Sequence, residues 1–350
     1  MAIDRVLSAD SRGPQEEALY MSLRPGRLGE CVGQQNAKDK LSIAIAAAKK
    51  RKEPLEHILF YGPPGLGKTT LAHVIANEMG SSIRVSSGPA LVKQGDVMGL
   101  LTNLNVGDIL FIDEIHRLSA PVEEFLYPAM EDYKVDFTVD SGLHAKTINF
   151  PLKRFTLIGA TTRAGLLSAP LRSRFGMLLH LEFYRVEELT EILRRSARLL
   201  ELTADKGTLE MIANRSRGTP RIANRLLKRV RDYAQVKGTG KLTDPIVQQA
   251  LQMERIDPLG LDDLDRAFLR AIVDVYNGGP AGIEALAATL GDERDTLEDV
   301  VEPYLLQIGF VRRTKRGREI TQAACDHLGI KPKHPPATGQ ASLFEEEAES

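Results

Sequence analysis

Gly62, Gly65, Gly67, Lys68 and Thr69 stand in the spacing G-x-x-x-x-G-K-[ST]. That pattern binds polyphosphate. Glycines let backbone N–H groups approach phosphate oxygens closely, and the loop leads into a helix N-terminus whose N–H groups point at the same anion. Lys68 would reach the β- and γ-phosphates, and the Thr69 hydroxyl would ligate Mg²⁺. The apolar run His57 to Tyr61 precedes the loop and a helical pattern from Lys68 to Met79 follows it, so the motif has its strand–loop–helix setting.

Further along, Asp108-Ile109-Leu110-Phe111-Ile112-Asp113-Glu114 reads as a buried strand ending in two acids. Asp113 is placed to hold Mg²⁺ through its water shell. Glu114 can orient and polarise an attacking water, which suits hydrolysis rather than phosphoryl transfer to a small acceptor. A second buried strand, Phe155 to Ala160, ends in Thr161-Thr162, and Thr162 could bond a γ-phosphate or the lytic water. Arg174 follows Pro170 in a short segment and would stabilise transition-state charge in a neighbouring subunit. Arg221 opens a helix and could couple that helix to the γ-phosphate.

These residues need a scaffold that gathers strand ends. From 21 to 182, strand-like runs (57–61, 83–85, 108–113, 155–160) alternate with helical segments (36–51, 68–79, 97–104, 121–130). Such alternation predicts an α/β layer with a mainly parallel sheet and helices on both faces. Residues 183–255 read as helical only. Ile222, Leu226, Val230 and Tyr233 form one stripe there, with Thr219 as N-cap and Pro220 at the first helical position. Asp257-Pro258-Leu259-Gly260 reads as a linker within a third unit, 256–333, patterned as three helices (263–275, 281–289, 292–306) and a hairpin over 308–322 that turns at Arg316-Gly317. This is the pattern of a winged helix. Residues 1–20 and 334–350 are polar, the latter acidic, and both are expected to be poorly ordered.

The winged unit holds five cations in the seven residues 312–318, with Arg294 upstream. Such a cluster suits phosphate-backbone contact. The whole chain of 350 residues has net charge −1, so any DNA surface must be local. Cys31 and Cys325 form no C-x-x-C, which argues against zinc and disulfides and fits a reducing cytosol. The N-terminus lacks the apolar core of a signal peptide, and no run approaches the roughly 18 apolar residues of a membrane span. The expectation is a cytoplasmic protein.

Taken together, the loop, Ile112-Asp113-Glu114, Thr162, Arg174 and Arg221 resemble an AAA+ ATPase. The wording of five segments is more specific. Gly62 to Leu71, Phe111 to Leu118, Leu126 to Tyr133, Gly159 to Gly165 and Arg217 to Arg225 resemble the RuvB family of Holliday-junction branch-migration motors, with the match running from about Leu23 to Lys333. The resemblance implies an ATP- and Mg²⁺-dependent homohexameric ring on duplex DNA, acting in recombination and repair with RuvA and RuvC. It implies nucleotide contacts from Leu23, Arg24, Gly62, Gly65, Gly67, Lys68, Thr69, Thr70, Glu131, Asp132, Tyr133, Arg174, Tyr184 and Arg221, and DNA contacts from Arg294, Arg313, Arg316 and Arg318. A RuvA-docking hairpin would fall between about Val135 and Phe150, presenting Ile148 and Phe150.

Two departures stand out. Lys315 occupies a position where the family usually has proline, which alters the hairpin tip. The tail runs past the family's usual end and contains Gln340-Ala341-Ser342-Leu343-Phe344. That segment resembles the short peptide by which bacterial proteins dock on the replicative sliding clamp, with Gln340, Leu343 and Phe344 as anchors. Two rival readings share the ATPase parts: a clamp-loader subunit, whose third unit would be a helical collar, and a non-motor ATP switch on DNA.

Overall fold

The computed structural model describes residues 21–139 and 146–330. The chain divides into two compact units, one ending at Val247 and the other beginning at Gln248.

In the first unit the strands are β1 (Ile58–Tyr61), β2 (Ile83–Ser87), β3 (Ile109–Asp113), β4 (Lys134–Val139), β5 (Lys146–Pro151), β6 (Thr156–Thr161) and β7 (Met177–His180). Five of them pair in parallel in the order β2-β3-β6-β1-β7, while β4 and β5 form a separate antiparallel hairpin. The helices are α1 (Gln35–Arg51), α2 (Lys68–Met79), α3 (Gln94–Thr102), α4 (Ala120–Glu131) and the short α5 (Ala169–Ser173).

The central strands are apolar on both faces because both are covered. Successive residues alternate between two cores. Ile58 and Phe60 pack with Leu41, Ile45 and Ile75 of α1 and α2. Leu59, Leu110 and Ile112 pack with Leu101, Phe125 and Leu126 of α3 and α4. Phe60 and Phe111 are fully buried, each contributing about 1.5–3 kcal/mol by area.

Two details differ from the expectations. β7 was not foreseen, yet it pairs with β1 from Ile58↔Met177 to Tyr61↔His180 and closes that side of the sheet. Helix α3 begins earlier than expected, because the Asp96 carboxylate accepts from the N–H groups of Val92 (3.1 Å) and Lys93 (2.9 Å) and anchors its first turn.

After the sheet come α6 (Val186–Leu199), α7 (Lys206–Asn214), α8 (Pro220–Lys237) and α9 (Asp244–Met253). Ile222, Leu226 and Val230 are buried along α8 as the stripe predicts, and Tyr233 is half-buried. Thr219 does not cap α8. Its hydroxyl donates to the Arg217 carbonyl at 3.1 Å instead.

The second unit is built from α10 (Asp263–Asp274), α11 (Ile283–Leu290), α12 (Arg294–Thr296), a π turn (Leu297–Val301), α13 (Glu302–Gln307), the hairpin β8 (Val311–Thr314) and β9 (Gly317–Ile320), and α14 (Gln322–Leu328). The expected third helix therefore carries a π turn at its centre. The reciprocal cap on α10 pairs the Asp262 carboxylate with the N–H groups of Leu264 and Asp265, and the Asp265 carboxylate with the Asp262 N–H. Gly317 (φ +145°) follows the hairpin turn, where a side chain would strike the Ala281 backbone. That close approach lets Ala281 and Arg318 exchange backbone hydrogen bonds of 2.9 and 2.8 Å.

Candidate active site

The register Tyr61↔Thr161 and Ile112↔Gly159 sets the carboxyl ends of β1, β6 and β3 side by side, the place where open α/β sheets bind ligands. A cavity of about 390 Å³ opens there. Its walls include Gly65, Gly67, Lys68, Thr69 and Thr70 of the loop, and Asp113 and Glu114 from the end of β3. Leu23, Arg24, Tyr184 and Arg221 complete the set of expected residues that line it.

The loop takes its path because three glycines adopt positive φ: Gly62 (140°), Gly65 (77°) and Gly67 (101°). At Gly62 a side chain would also collide with the Leu181 carbonyl. The Lys68 ammonium is buried and donates to the carbonyls of Gly62 (2.8 Å) and Pro63 (2.9 Å). Burial pushes its pKa down to about 8. The carboxylates of Asp113 and Glu114 act against that shift, and Arg221 adds to it. The Tyr184 phenol donates to the Leu66 carbonyl at 3.2 Å, and burial raises it well above its ordinary range.

Asp113 Oδ1 accepts from the Glu114 N–H at 3.0 Å. Thr69 and Asp113 are hard oxygen donors lining one cavity, which fits Mg²⁺. Among the described residues no group of three or more His, Cys, Asp or Glu could cage a metal alone.

Glu114 sits in the left-handed region (φ 47°, ψ 45°). Its Oε2 accepts from the Thr162 hydroxyl at 3.3 Å and lies 3.1 Å from His116 Nδ1. Thr162 therefore reaches the site through Glu114 and is not part of the cavity wall. His116 was missed in the sequence as a site residue. Only its position three residues after Asp113, on the turn that leaves β3, pointed to it. Asn224 was missed too. It lines the cavity one helical turn after Arg221, and its Oδ1 is buried without a partner among the described residues.

Five expected nucleotide residues are not part of the cavity wall: Gly62, whose carbonyl accepts from Lys68, and Arg174, Glu131, Asp132 and Tyr133. Arg174 rests 4.2 Å over the Tyr127 ring, donates to the Pro170 carbonyl at 2.7 Å and pairs with Glu131 at 3.2 Å. Glu131 and Asp132 are exposed at the end of α4, and the Tyr133 ring stands nearly perpendicular to that of Phe155 at the hairpin base. The last four do not line this chain's own cavity, and Arg174 and Glu131 share one patch of their own.

On the hairpin, Ile148 and Phe150 are two residues apart on β5, and both are exposed. In the winged unit Arg316 is exposed at the hairpin tip. Arg294 is half exposed and pairs with Glu284 (2.8 Å) and Glu298 (3.3 Å). Arg313 pairs with Glu302 at 2.6 Å and keeps 54% of its side chain exposed. Arg318 departs from the expected open phosphate contact. It is buried, with its guanidinium held by Glu302, because a neighbouring strand and helix close over it. Gln340, Leu343 and Phe344 lie outside the described residues.

A P-loop on a parallel sheet, strand-end acids, a helical lid contributing Arg221 and a following winged helix define an AAA+ ATPase. Family models match nearly the whole described chain: the Holliday junction DNA helicase RuvB P-loop domain over 23–181, the RuvB AAA lid domain over 184–257 and the RuvB C-terminal winged helix domain over 258–329. The chain belongs to the RuvB family. It is 58% identical over 315 residues to the Kosmotoga olearia protein described as Holliday junction branch migration complex subunit RuvB, covering 90% of this chain and 92% of that one. The structure of the Thermotoga maritima RuvB Holliday junction branch migration motor superposes with a TM-score of 0.81 at 53% identity, over 89% of this chain and 99% of that one. A single-site mutant of the same Thermotoga protein gives 0.83 at the same identity, over 88% and 99%. The third unit matches a winged helix and not a helical collar, which sets the clamp-loader reading aside.

Proposed function

We propose that this chain is an ATP-driven DNA translocase that moves Holliday junctions. One observation carries the reading: a single cavity is lined both by the loop and acids of the α/β layer and by Arg221 of the helical lid. Any change in the γ-phosphate is then felt on both sides of the cleft.

Lys68 exchanges its two loop carbonyls for phosphate oxygens. Thr69 and Asp113 would hold Mg²⁺, which when bound would neutralise charge on the β- and γ-phosphates. Glu114 takes the proton of the attacking water, with Thr162 as its partner. Arg221 pulls the lid toward the γ-phosphate. Leu23, Arg24 and Tyr184 line the remaining wall, where the nucleoside would sit.

Arg174 acts on a neighbour's nucleotide, accompanied by Glu131, Asp132 and Tyr133. Their place off this chain's own cavity supports that reading, and it requires a ring, taken here as a hexamer. Arg294, Arg313 and Arg316 contact the phosphate backbone without reading bases, and Arg318 braces the hairpin that carries Arg313 and Arg316. The hairpin with Ile148 and Phe150 docks RuvA, and RuvC joins the same junction. The tail segment Gln340 to Phe344 is a candidate peptide for the sliding clamp. No described helix is long and apolar enough to cross a membrane, in keeping with cytoplasmic work on DNA.

The direct test is ATP hydrolysis with and without duplex DNA. DNA-stimulated hydrolysis that disappears in Glu114→Gln, with nucleotide binding retained, is the expected result. Hydrolysis indifferent to both DNA and Glu114 would reject the reading.

A further inference from the structure

We infer that His116 is a positioning residue for Glu114, setting through its Nδ1 whether the carboxylate is held in place for hydrolysis. The inference rests on the reading of Glu114 as the general base.

β3 ends at Asp113, and Glu114 takes a left-handed conformation that is uncommon for a residue with a side chain. The turn Ile115–Arg117 then brings the imidazole of His116 back beneath the strand ends, where its side chain is only 8% exposed. Nδ1 lies between two oxygens. It is 2.8 Å from Thr161 Oγ1 and 3.1 Å from Glu114 Oε2. Thr161 Oγ1 already accepts the Arg163 N–H at 3.0 Å.

An ionised carboxylate only accepts, whereas a hydroxyl donates or accepts and an imidazole nitrogen does one or the other. With a proton on Nδ1, His116 donates toward Glu114 Oε2 and restrains the carboxylate. With Nδ1 bare, the ring accepts the Thr161 hydroxyl proton and presents a lone pair to Oε2, so the carboxylate must turn away. The Thr162 hydroxyl bonds the same oxygen at 3.3 Å, a longer contact. Nδ1 thus links three parts of the site: the strand-end acid, the end of β6 and, through Thr161, the backbone of Arg163. A buried histidine used only for packing would not need its nitrogen between a hydroxyl and the one carboxylate that must be aimed at water.

Three full-length variants test this on duplex DNA with ATP: His116→Phe, His116→Asn and Glu114→Gln. Phe keeps ring volume without a donor, and Asn places an amide nitrogen where Nδ1 stands. The inference predicts that His116→Phe lowers kcat by about tenfold or more, the scale of a misaligned general base. KM and the Kd of a fluorescent ATP analogue should stay within about twofold, because ground-state binding is untouched. His116→Asn should restore kcat to within about threefold of wild type, since the donor is returned. An unchanged kcat in His116→Phe would overturn the inference. So would equal losses in Phe and Asn, or a Kd that weakens in step with kcat, since either marks a packing role. Glu114→Gln separates the two levels. Wild-type hydrolysis in that variant removes the base reading itself, whereas an inactive Glu114→Gln beside a fully active His116→Phe removes only the role of His116.

Discussion

Arg318 is held along one edge of its guanidinium by both oxygens of the fully buried Glu302, with Nε 2.9 Å from Oε1 and Nη2 2.9 Å from Oε2. The pair continues outward. Arg313 shares Glu302, Glu298 joins Arg318 to Arg294, and Arg294 reaches Glu284. Three carboxylates and three arginines therefore alternate from α11 through the π turn to the hairpin. What reads as a cationic cluster is partly an internal brace.

Breaking that brace should be costly. Glu302→Gln leaves Arg318 buried with half its partner, and a broken buried pair costs about 3–5 kcal/mol. The Glu302 carboxyl is held below its ordinary range. Burial is the largest influence and works against that, but the hydrogen bonds and charges of Arg313 and Arg318 outweigh it. A depressed carboxylate stabilises the fold fully above about pH 4.3, and that contribution fades as pH falls through the folded value. Urea unfolding of the full chain should accordingly show the wild type losing stability below about pH 4.3, with Glu302→Gln weaker at neutral pH and flatter in acid.

The exposed tip behaves differently. Arg316→Ala should leave unfolding unchanged, weaken duplex binding on every sequence and reduce the slope of log K against log salt by about 1. Arg318→Ala should instead lose stability first. Fluorescence anisotropy at several salt concentrations, run beside unfolding, checks both. Equal slopes in wild type and Arg316→Ala would remove Arg316 from the DNA surface.

Lys68 gives nucleotide binding a pH dependence. Burial pushes its pKa down to about 8, and phosphate oxygens must raise it again. Binding above pH 8 then takes up a proton, so ATP affinity should fall as pH climbs through about 8. Calorimetry in buffers of different ionisation enthalpy would detect the uptake. The same depression makes the nucleotide-free fold gain stability as pH rises between about 8 and 10.4, where the unfolded lysine binds the proton and the folded one does not.

Arg174 can be tested by mixing. Arg174→Ala and Glu114→Gln should each abolish hydrolysis while binding nucleotide. Mixed rings should regain activity, because some interfaces then pair an intact Glu114 with an intact Arg174. Absence of any recovery after confirmed subunit exchange would place Arg174 outside a neighbour's site.

Much of the cleft was legible because its chemistry is local. Glycine spacing, a strand ending in Asp113-Glu114 and a proline-started helix carrying Arg221 each lie within a few residues. What escaped depends on distant partners. Arg318 looks like any solvated cation until Glu302, sixteen residues earlier, is folded beneath it. The role of His116 appears only when β6 brings Thr161 to its ring. β7 is a four-residue strand with only Leu179 buried, placed by its pairing with β1, so no period could announce it. Thr219 has the right residue type for a cap, yet its hydroxyl found a nearer carbonyl.

The most direct measurement is strand separation of a labelled four-way junction with mobile arms, with RuvA, ATP and Mg²⁺, for wild type and Glu114→Gln. ATP-dependent separation that requires RuvA and is lost in Glu114→Gln is the predicted result. ATP hydrolysis with no junction movement, RuvA being present, would contradict the assignment of this chain as a branch-migration motor.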